Sequence, residues 1–311
     1  MHSTRKIKED LIYVGGSDRR LSRFENLFPI PRGVSYNSYV LLDEKTVLFD
    51  TVDKAVSGVF FENVEHELNG RPLDYIVVHH MEPDHSATLQ ELVARYPQVK
   101  IVCNTKIVGM IKQFFTFDID AYAHVVAEGD VLETGRHKLT FVMAPMVHWP
   151  EVMVTYEQQE KILFSADGFG RFGTMDSEGN WEDEAARYYL NIVGKYGVQV
   201  QGLLKKASAL DIAVICPLHG PILKDDLAFY LEKYQIWSTY QPEQKGVLVA
   251  YASVHGNTAH AAELLAQMLR QKGEEHVEVM DLARTDMSVA VRKAFFYDRM
   301  VVAAATYDGG L

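Results

Sequence analysis

Cysteine is scarce in this sequence: its 311 residues include two, Cys103 and Cys216. No disulfide framework can be built from them, and neither belongs to a Cys-x-x-Cys pair of the metal-binding or redox kind. Both lie in strand-like runs, KIVCN and IAVICP, where a buried, inert thiol is expected. The scarcity points to a reducing, cytoplasmic setting. Long apolar runs are missing as well. No stretch approaches the length that spans a bilayer, and the charged start MHSTRKIKED has no apolar segment behind it. Neither a membrane span nor a signal peptide is therefore expected. Positive charge is in deficit, with 31 Lys and Arg against 42 Asp and Glu, a net charge of −11. That argues against nucleic acid or an anionic membrane as partner, and for a soluble enzyme with small-molecule substrates or small protein partners.

The chain is long enough for two domains and a sizeable core. Up to about Tyr240 it reads as short strands with few helices. Strands are predicted over 36–42, 46–50, 75–79, 100–103, 139–144, 152–156, 161–165 and 212–216, and helices over 54–68 and 184–195. This mixture predicts two packed sheets with helices outside them. Residues 239–246, polar and containing Pro242 and Gly246, read as a linker. Beyond it the rhythm changes to strand 247–252, helix 257–271, strand 276–281, helix 286–296 and strand 299–305, which is a parallel, doubly wound pattern. The boundaries expected are a first domain over 1–240 and a second over 247–311. A flavodoxin-like sheet needs about five strands, so this second part reads as incomplete and the chain as a fragment.

The richest chemistry follows the strand at 75–79, in the run His79-His80-Met81-Glu82-Pro83-Asp84-His85. A lone histidine or carboxylate is most often solvated or satisfied by hydrogen bonds. Four potential ligands crowded into one Pro-bent loop are different, because Glu82 and Asp84 would repel each other unless a cation sat between them. Three more candidates stand where strands end: His148 in APMVHWP, Asp167 in LFSADGFG and His219 in VICPLHG. Seven such residues suggest two metal ions. His79 is read as packing or hydrogen-bonding beside the site, Trp149 as core or support, and His66, His124, His137 and His276 as surface or satisfied positions.

A second feature follows the strand at 247–252. Ser253-Val254-His255-Gly256-Asn257-Thr258 leads straight into a helix, and hydroxyls and a glycine at a helix N-terminus make an anion site. Capping of the helix by Asn257 or Thr258 is the plain alternative.

On the residues His80, Glu82, Asp84 and His85, then His148, Asp167 and His219, the chain resembles the flavodiiron proteins, or A-type flavoproteins. The likeness extends through SYNSY at 35–39, HWP at 148–150 and ARYYLNIV at 186–193. It implies an α+β metallo-β-lactamase-like αββα sandwich followed by an α/β flavodoxin-like segment. It further implies that His80, Glu82 and His148 bind one iron, Asp84, His85 and His219 the other, and that Asp167 bridges them. The loop at 253–258 would hold the FMN phosphate. A second flavin loop would be Thr306-Tyr307-Asp308-Gly309, with Tyr307 stacking on the isoalloxazine, although Ala304-Ala305 departs from the usual Ser-Pro.

The activity implied is reduction of O2 to water, NO to N2O, or both. Electrons would come from rubredoxin or a similar donor through FMN, in a head-to-tail homodimer or a dimer of dimers. FMN is expected to bind this 311-residue form weakly or not at all. Two other readings stand beside this one: a binuclear zinc hydrolase of the same fold, and a metal-binding remnant without turnover. Glu82 separates the first of them. Those hydrolases typically carry His-x-His-x-Asp-His, and a carboxylate in place of the second imidazole suits an ion that must reach a ferric state.

Overall fold

A computed structural model describes residues 2–310. Met1 and Leu311, the outer limits of the two expected domains, lie outside the described residues. Two sheets face each other through the first 216 residues. One has seven strands, in spatial order Arg5–Lys6, Leu11–Tyr13, Tyr39–Leu42, Thr46–Phe49, Tyr75–Val77, Lys100–Cys103 and Ala123–Val125. Its first four strands pair antiparallel and its last four parallel. The other has five strands: Val131–Glu133, Lys138–Met143, Met153–Glu157, Ile162–Phe164 and Val214–Cys216. Only its last pair is parallel.

Apolar side chains from both sheets merge into one core. At its centre the rings of Phe49 and Phe164, one from each sheet, stack at 3.8 Å. Both predicted cysteines are buried and free. The mixed α/β sandwich with outer helices agrees with the expected class. The expectation of few helices does not hold. Besides Ser57–Leu68 and Trp181–Tyr188, helices run over Leu89–Arg95, Thr105–Phe114, Gly197–Ala207 and Leu227–Ser238. The predicted helix at 184–195 begins earlier, and its second half, Tyr189–Val193, opens into a π turn.

Gln244–Ala252 is the central strand of a separate three-stranded sheet, flanked in parallel by Val277–Asp281 and Tyr297–Ala304. The helices Asn257–Gln271 and Met287–Phe296 make the crossovers. Part of the expected linker, Gln244 to Gly246, is thus already strand. The join between the two regions is polar and buried. Arg187 donates to Ser288 Oγ at 2.8 Å and to the Pro29 carbonyl at 3.0 Å. Glu243 accepts from Lys233 at 2.7 Å and Trp237 Nε1 at 3.0 Å, and pairs with Arg292 at 2.7 Å. No helix among the described residues is long and apolar enough to cross a membrane.

Candidate metal centre

Each candidate ligand sits just past the end of a strand, where the chain leaves the sandwich and can turn its side chain inward. The strand Tyr75–Val77 leads to His80 and Glu82. Pro83 then opens a single helical turn, Pro83–Ser86, that carries Asp84 and His85 on its inner side. His148 lies in the connection between the Lys138–Met143 and Met153–Glu157 strands. Asp167 and His219 follow the neighbouring parallel strands Ile162–Phe164 and Val214–Cys216, whose ends are in register, Phe164 beside Cys216. Gly220, at φ 77°, makes the turn behind His219. A Cβ there would approach Arg171 Cγ to 2.7 Å.

The structure brings all seven together. The donor atoms of His80, Glu82, His148 and Asp167 form one tight group, and those of Asp84, His85 and His219 a second. Asp167 lies between them. Its Oδ2 is 3.0 Å from His148 Nε2 and 3.4 Å from His80 Nε2, and its Oδ1 is 3.1 Å from His85 Nε2 and 3.7 Å from His219 Nε2. Glu82 Oε2 stands 3.2 Å from both His80 and His148, and Asp84 Oδ2 3.4 Å from both His85 and His219. Ligands about 2.0–2.2 Å from one ion lie roughly 3–3.5 Å from each other, so these spacings are those of coordination shells.

Two further observations favour cations. Asp84 Oδ1 and Oδ2 and Asp167 Oδ1 are buried acceptors without a hydrogen-bond partner, a costly state for a carboxylate. The Nε2 atoms of His85 and His219 point at each other across 3.1 Å. The protein alone resolves this crowding with protons. Burial pulls His80 down, but Asp167, Glu151 and Glu82 outweigh it and hold the imidazole well above its ordinary value. His148 is pulled down by burial and pushed further up by Asp167 and Glu82, to about 9. Burial raises Asp167, yet His85, His80 and His148 more than reverse that and keep it well below the usual carboxylate range. Protons thus sit where a metal ion would displace them.

His79 belongs to the frame, as expected: it is buried between Asp50, paired with its Nδ1, and Thr155 Oγ1, 2.7 Å from its Nε2. Trp149 packs edge-on against His80 at 5.2 Å. His137 is buried and satisfied, with its ring nitrogens 2.9 Å from Glu157 and from Asp10. SYNSY does not form the continuous strand expected over 36–42. It braces the His219 loop: His219 Nδ1 donates to the Ser35 carbonyl, Asn37 donates to the carbonyls of Pro217 and Gly220, and Tyr39 reaches Pro217. Sequence reasoning also missed Glu151, which accepts from His80 Nδ1 at 2.8 Å. Its signal was its place in HWPE, three residues past His148.

The residues 253–258 and 306–309 leave the same end of the three-stranded sheet, since Ala252 and Ala304 are paired. Gly256, at φ 91°, precedes the helix in open space, and its N–H donates to Ser253 Oγ at 3.0 Å. No side chain among the described residues caps the helix, so neither Asn257 nor Thr258 plays that role. Val254, His255, Gly256 and Asn257 are exposed, as are Thr306, Tyr307, Asp308 and Gly309.

Comparison with known proteins agrees with this geometry. Residues 34–220 match the family described as ODP family beta lactamase. The chain is 32% identical to a protein of Methanocaldococcus jannaschii, over 98% of this chain and 78% of that one. The chain belongs to the flavodiiron proteins. It is 31% identical to the anaerobic nitric oxide reductase flavorubredoxin of Aliivibrio fischeri, over 97% of this chain, and spans 63% of that relative's length. Among solved structures it matches the rubredoxin oxygen:oxidoreductase of Desulfovibrio gigas with a TM-score of 0.90 and 28% identity, over 98% of this chain and 78% of that one. A flavo di-iron protein of Thermotoga maritima matches with a TM-score of 0.90 and 26% identity, over 99% of this chain and 81% of that one. A flavodiiron fold is a metallo-β-lactamase-like sandwich joined to a flavodoxin-like part, and the three-stranded sheet is in keeping with the latter.

Proposed function

We propose that this flavodiiron chain is an oxidoreductase that reduces O2 to water, NO to N2O, or both, at a non-haem di-iron centre supplied with electrons through FMN. The observation that carries the reading is the pair of donor groups meeting at Asp167, with the carboxylate of Glu82 in one of them. His80, Glu82 and His148 would hold one iron, Asp84, His85 and His219 the other, and Asp167 both. Iron supplies reversible one-electron chemistry, which zinc lacks. The protein's own contribution is to fix the imidazoles, exclude bulk water around nearly buried donors, and hold the carboxyls of Glu82 and Asp167 below their ordinary range beside them. Backbone N–H groups with Ser253, Asn257 and Thr258 would receive the FMN phosphate at the helix N-terminus, with Val254, His255 and Gly256 completing the loop. Thr306, Tyr307, Asp308 and Gly309 would flank the ring.

The domains proposed are 1–240 for the di-iron part and 247–311 for the FMN part. The donor would be rubredoxin or a similar small protein, in keeping with the rubredoxin oxygen:oxidoreductase among its relatives, and the assembly a head-to-tail homodimer or dimer of dimers, as the family resemblance implies. Two buried free thiols suit the cytoplasm. Iron and zinc analysis of the purified chain, with O2 and NO consumption followed under a chemical reductant, tests the reading. Two irons per chain with consumption of either gas are expected. Zinc at the site, with hydrolysis of a thioester, lactam or phosphoester in place of gas reduction, would overturn it.

A further inference from the structure

The seven candidate ligands are not the only charges at the centre. Glu151 lies in the connection after His148 and is 1% exposed. Its Oε1 accepts from His80 Nδ1 at 2.8 Å and from the Met81 backbone N–H at 3.0 Å, while Oε2 is buried with no partner. The backbone holding it is itself fixed. Asn104 donates to the Glu151 carbonyl at 2.7 Å, and Lys106 Nζ donates to the Pro150 carbonyl at 3.0 Å. Among the described residues the one ion-pair partner of this carboxylate is His80. When His80 gives its Nε2 to a metal ion the ring is neutral, and the charge of Glu151 is left facing that ion.

Among the described residues the other donor group has no such anion behind it. His219 Nδ1 donates to a neutral carbonyl, that of Ser35, at 2.8 Å, and His85 Nδ1 is buried without a partner. A carboxylate behind a ligating imidazole raises the basicity of the ring and the negative potential at the ion. Glu25 also stands beside Glu82, on the same side of the centre as Glu151. Oxidising one ion adds a single positive charge, and that charge is most stable next to Glu151.

We propose that Glu151 is a positioning residue that makes the two metal positions unequal. It fixes His80 as an Nε2 ligand and draws the higher oxidation state to the ion held by His80, Glu82 and His148. The half-reduced pair then carries its ferric ion at that position and its ferrous ion between Asp84, His85 and His219. The inference rests on the di-iron reading above.

The test uses the iron-loaded full chain, titrated with redox mediators while the mixed-valent state is followed by electron paramagnetic resonance. In Glu151→Gln, iron stoichiometry is expected to stay at two. The comproportionation constant of the mixed-valent state should fall at least tenfold, a closing of the two one-electron potentials by about 59 mV. Glu151→Asp, which keeps the charge, should recover most of the gap. A mixed Fe(III)–Zn(II) form of the unaltered chain gives a second reading that needs no variant. Anomalous scattering at the two absorption edges should place iron at the His80, Glu82 and His148 position. Iron at the other position or scrambled between the two, or an unchanged gap in Glu151→Gln, overturns the inference alone. An unaltered chain that takes up no pair of irons overturns the di-iron reading and this inference with it.

Discussion

The metal centre and the proposed flavin loops are built in opposite ways. Around the metal centre the ligands are almost fully buried, their imidazoles are braced by Glu151 and the Ser35 carbonyl, and their strands lie in a core shared by two sheets. The flavin loops emerge from a three-stranded sheet with two small cores. Its edge strand Tyr297–Ala304 is largely exposed, with Met300 at 51% and Val302 at 61%. The difference teaches where preorganisation is needed. Several like charges can be held within van der Waals reach only by a frame too dense to relax. A phosphate loop needs little more than backbone N–H groups aimed one way, which a helix start supplies on a small sheet.

The largest effect expected from breaking this contrast is at Asp167. Asp167→Ala removes the side chain that turns one oxygen toward each donor group, so iron content should fall from two to at most one per chain. Metal affinity should drop by more than the roughly 10–100-fold typical of a lost supporting residue. Elemental analysis after gel filtration checks it. Next is the join. Glu243→Gln leaves Arg292 buried without its anion, at a cost of about 3 kcal/mol, and hydrogen exchange should show residues 244–304 loosening while the metal region keeps its protection.

The join and the sandwich should also differ in the sign of their pH response. Burial raises Glu243, but Arg292 and Lys233 outweigh it and hold it below its ordinary value. Its contribution is therefore complete above the unfolded carboxyl range and lost as pH falls through the folded value. His137 is pulled down by burial and pushed up further by Glu157 and Asp10, so its folded value is raised. Its contribution is complete below the unfolded histidine range and lost as pH rises through the folded value. Denaturant titrations of Glu243→Gln and His137→Ala across acid and mildly alkaline pH should show the stability gap of each variant shrinking at opposite ends. The smallest effect is expected at Tyr307, 73% exposed. Tyr307→Ala should change stability by less than about 0.5 kcal/mol, with its main consequence a lower flavin affinity in a fluorescence titration.

How much of this was legible in the sequence follows the same divide between local and distant contacts. His80, Glu82, Asp84 and His85 could be read because they are adjacent in the chain, and His148, Asp167 and His219 because each follows a recognisable strand. Glu151 and Ser35 were harder to read, because their partners are 71 and 184 residues away and only the place of Glu151 in HWPE marked it. The helix Leu227–Ser238 was missed because Leu227, Phe229, Tyr230, Tyr234, Ile236 and Trp237 leave no polar stripe, and a helix without a stripe has no period to detect. The break in the expected strand at 36–42 has a tertiary cause: Asn37 turns to the Pro217 and Gly220 carbonyls, and Ser38 donates to the Asp50 carbonyl. The second half of the predicted helix at 184–195 is a π turn, and the α-helix before it ends on Tyr188, whose ring lies 5.5 Å from that of His219.

The central claim is that seven side chains on four strand ends hold two ions across Asp167. The most direct test is a crystal structure of the iron-loaded chain with data collected at the iron absorption edge. Two anomalous peaks are predicted, one within ligand distance of His80, Glu82 and His148, the other of Asp84, His85 and His219, each within reach of one Asp167 oxygen. A single peak, or iron bound away from Asp167, would contradict it.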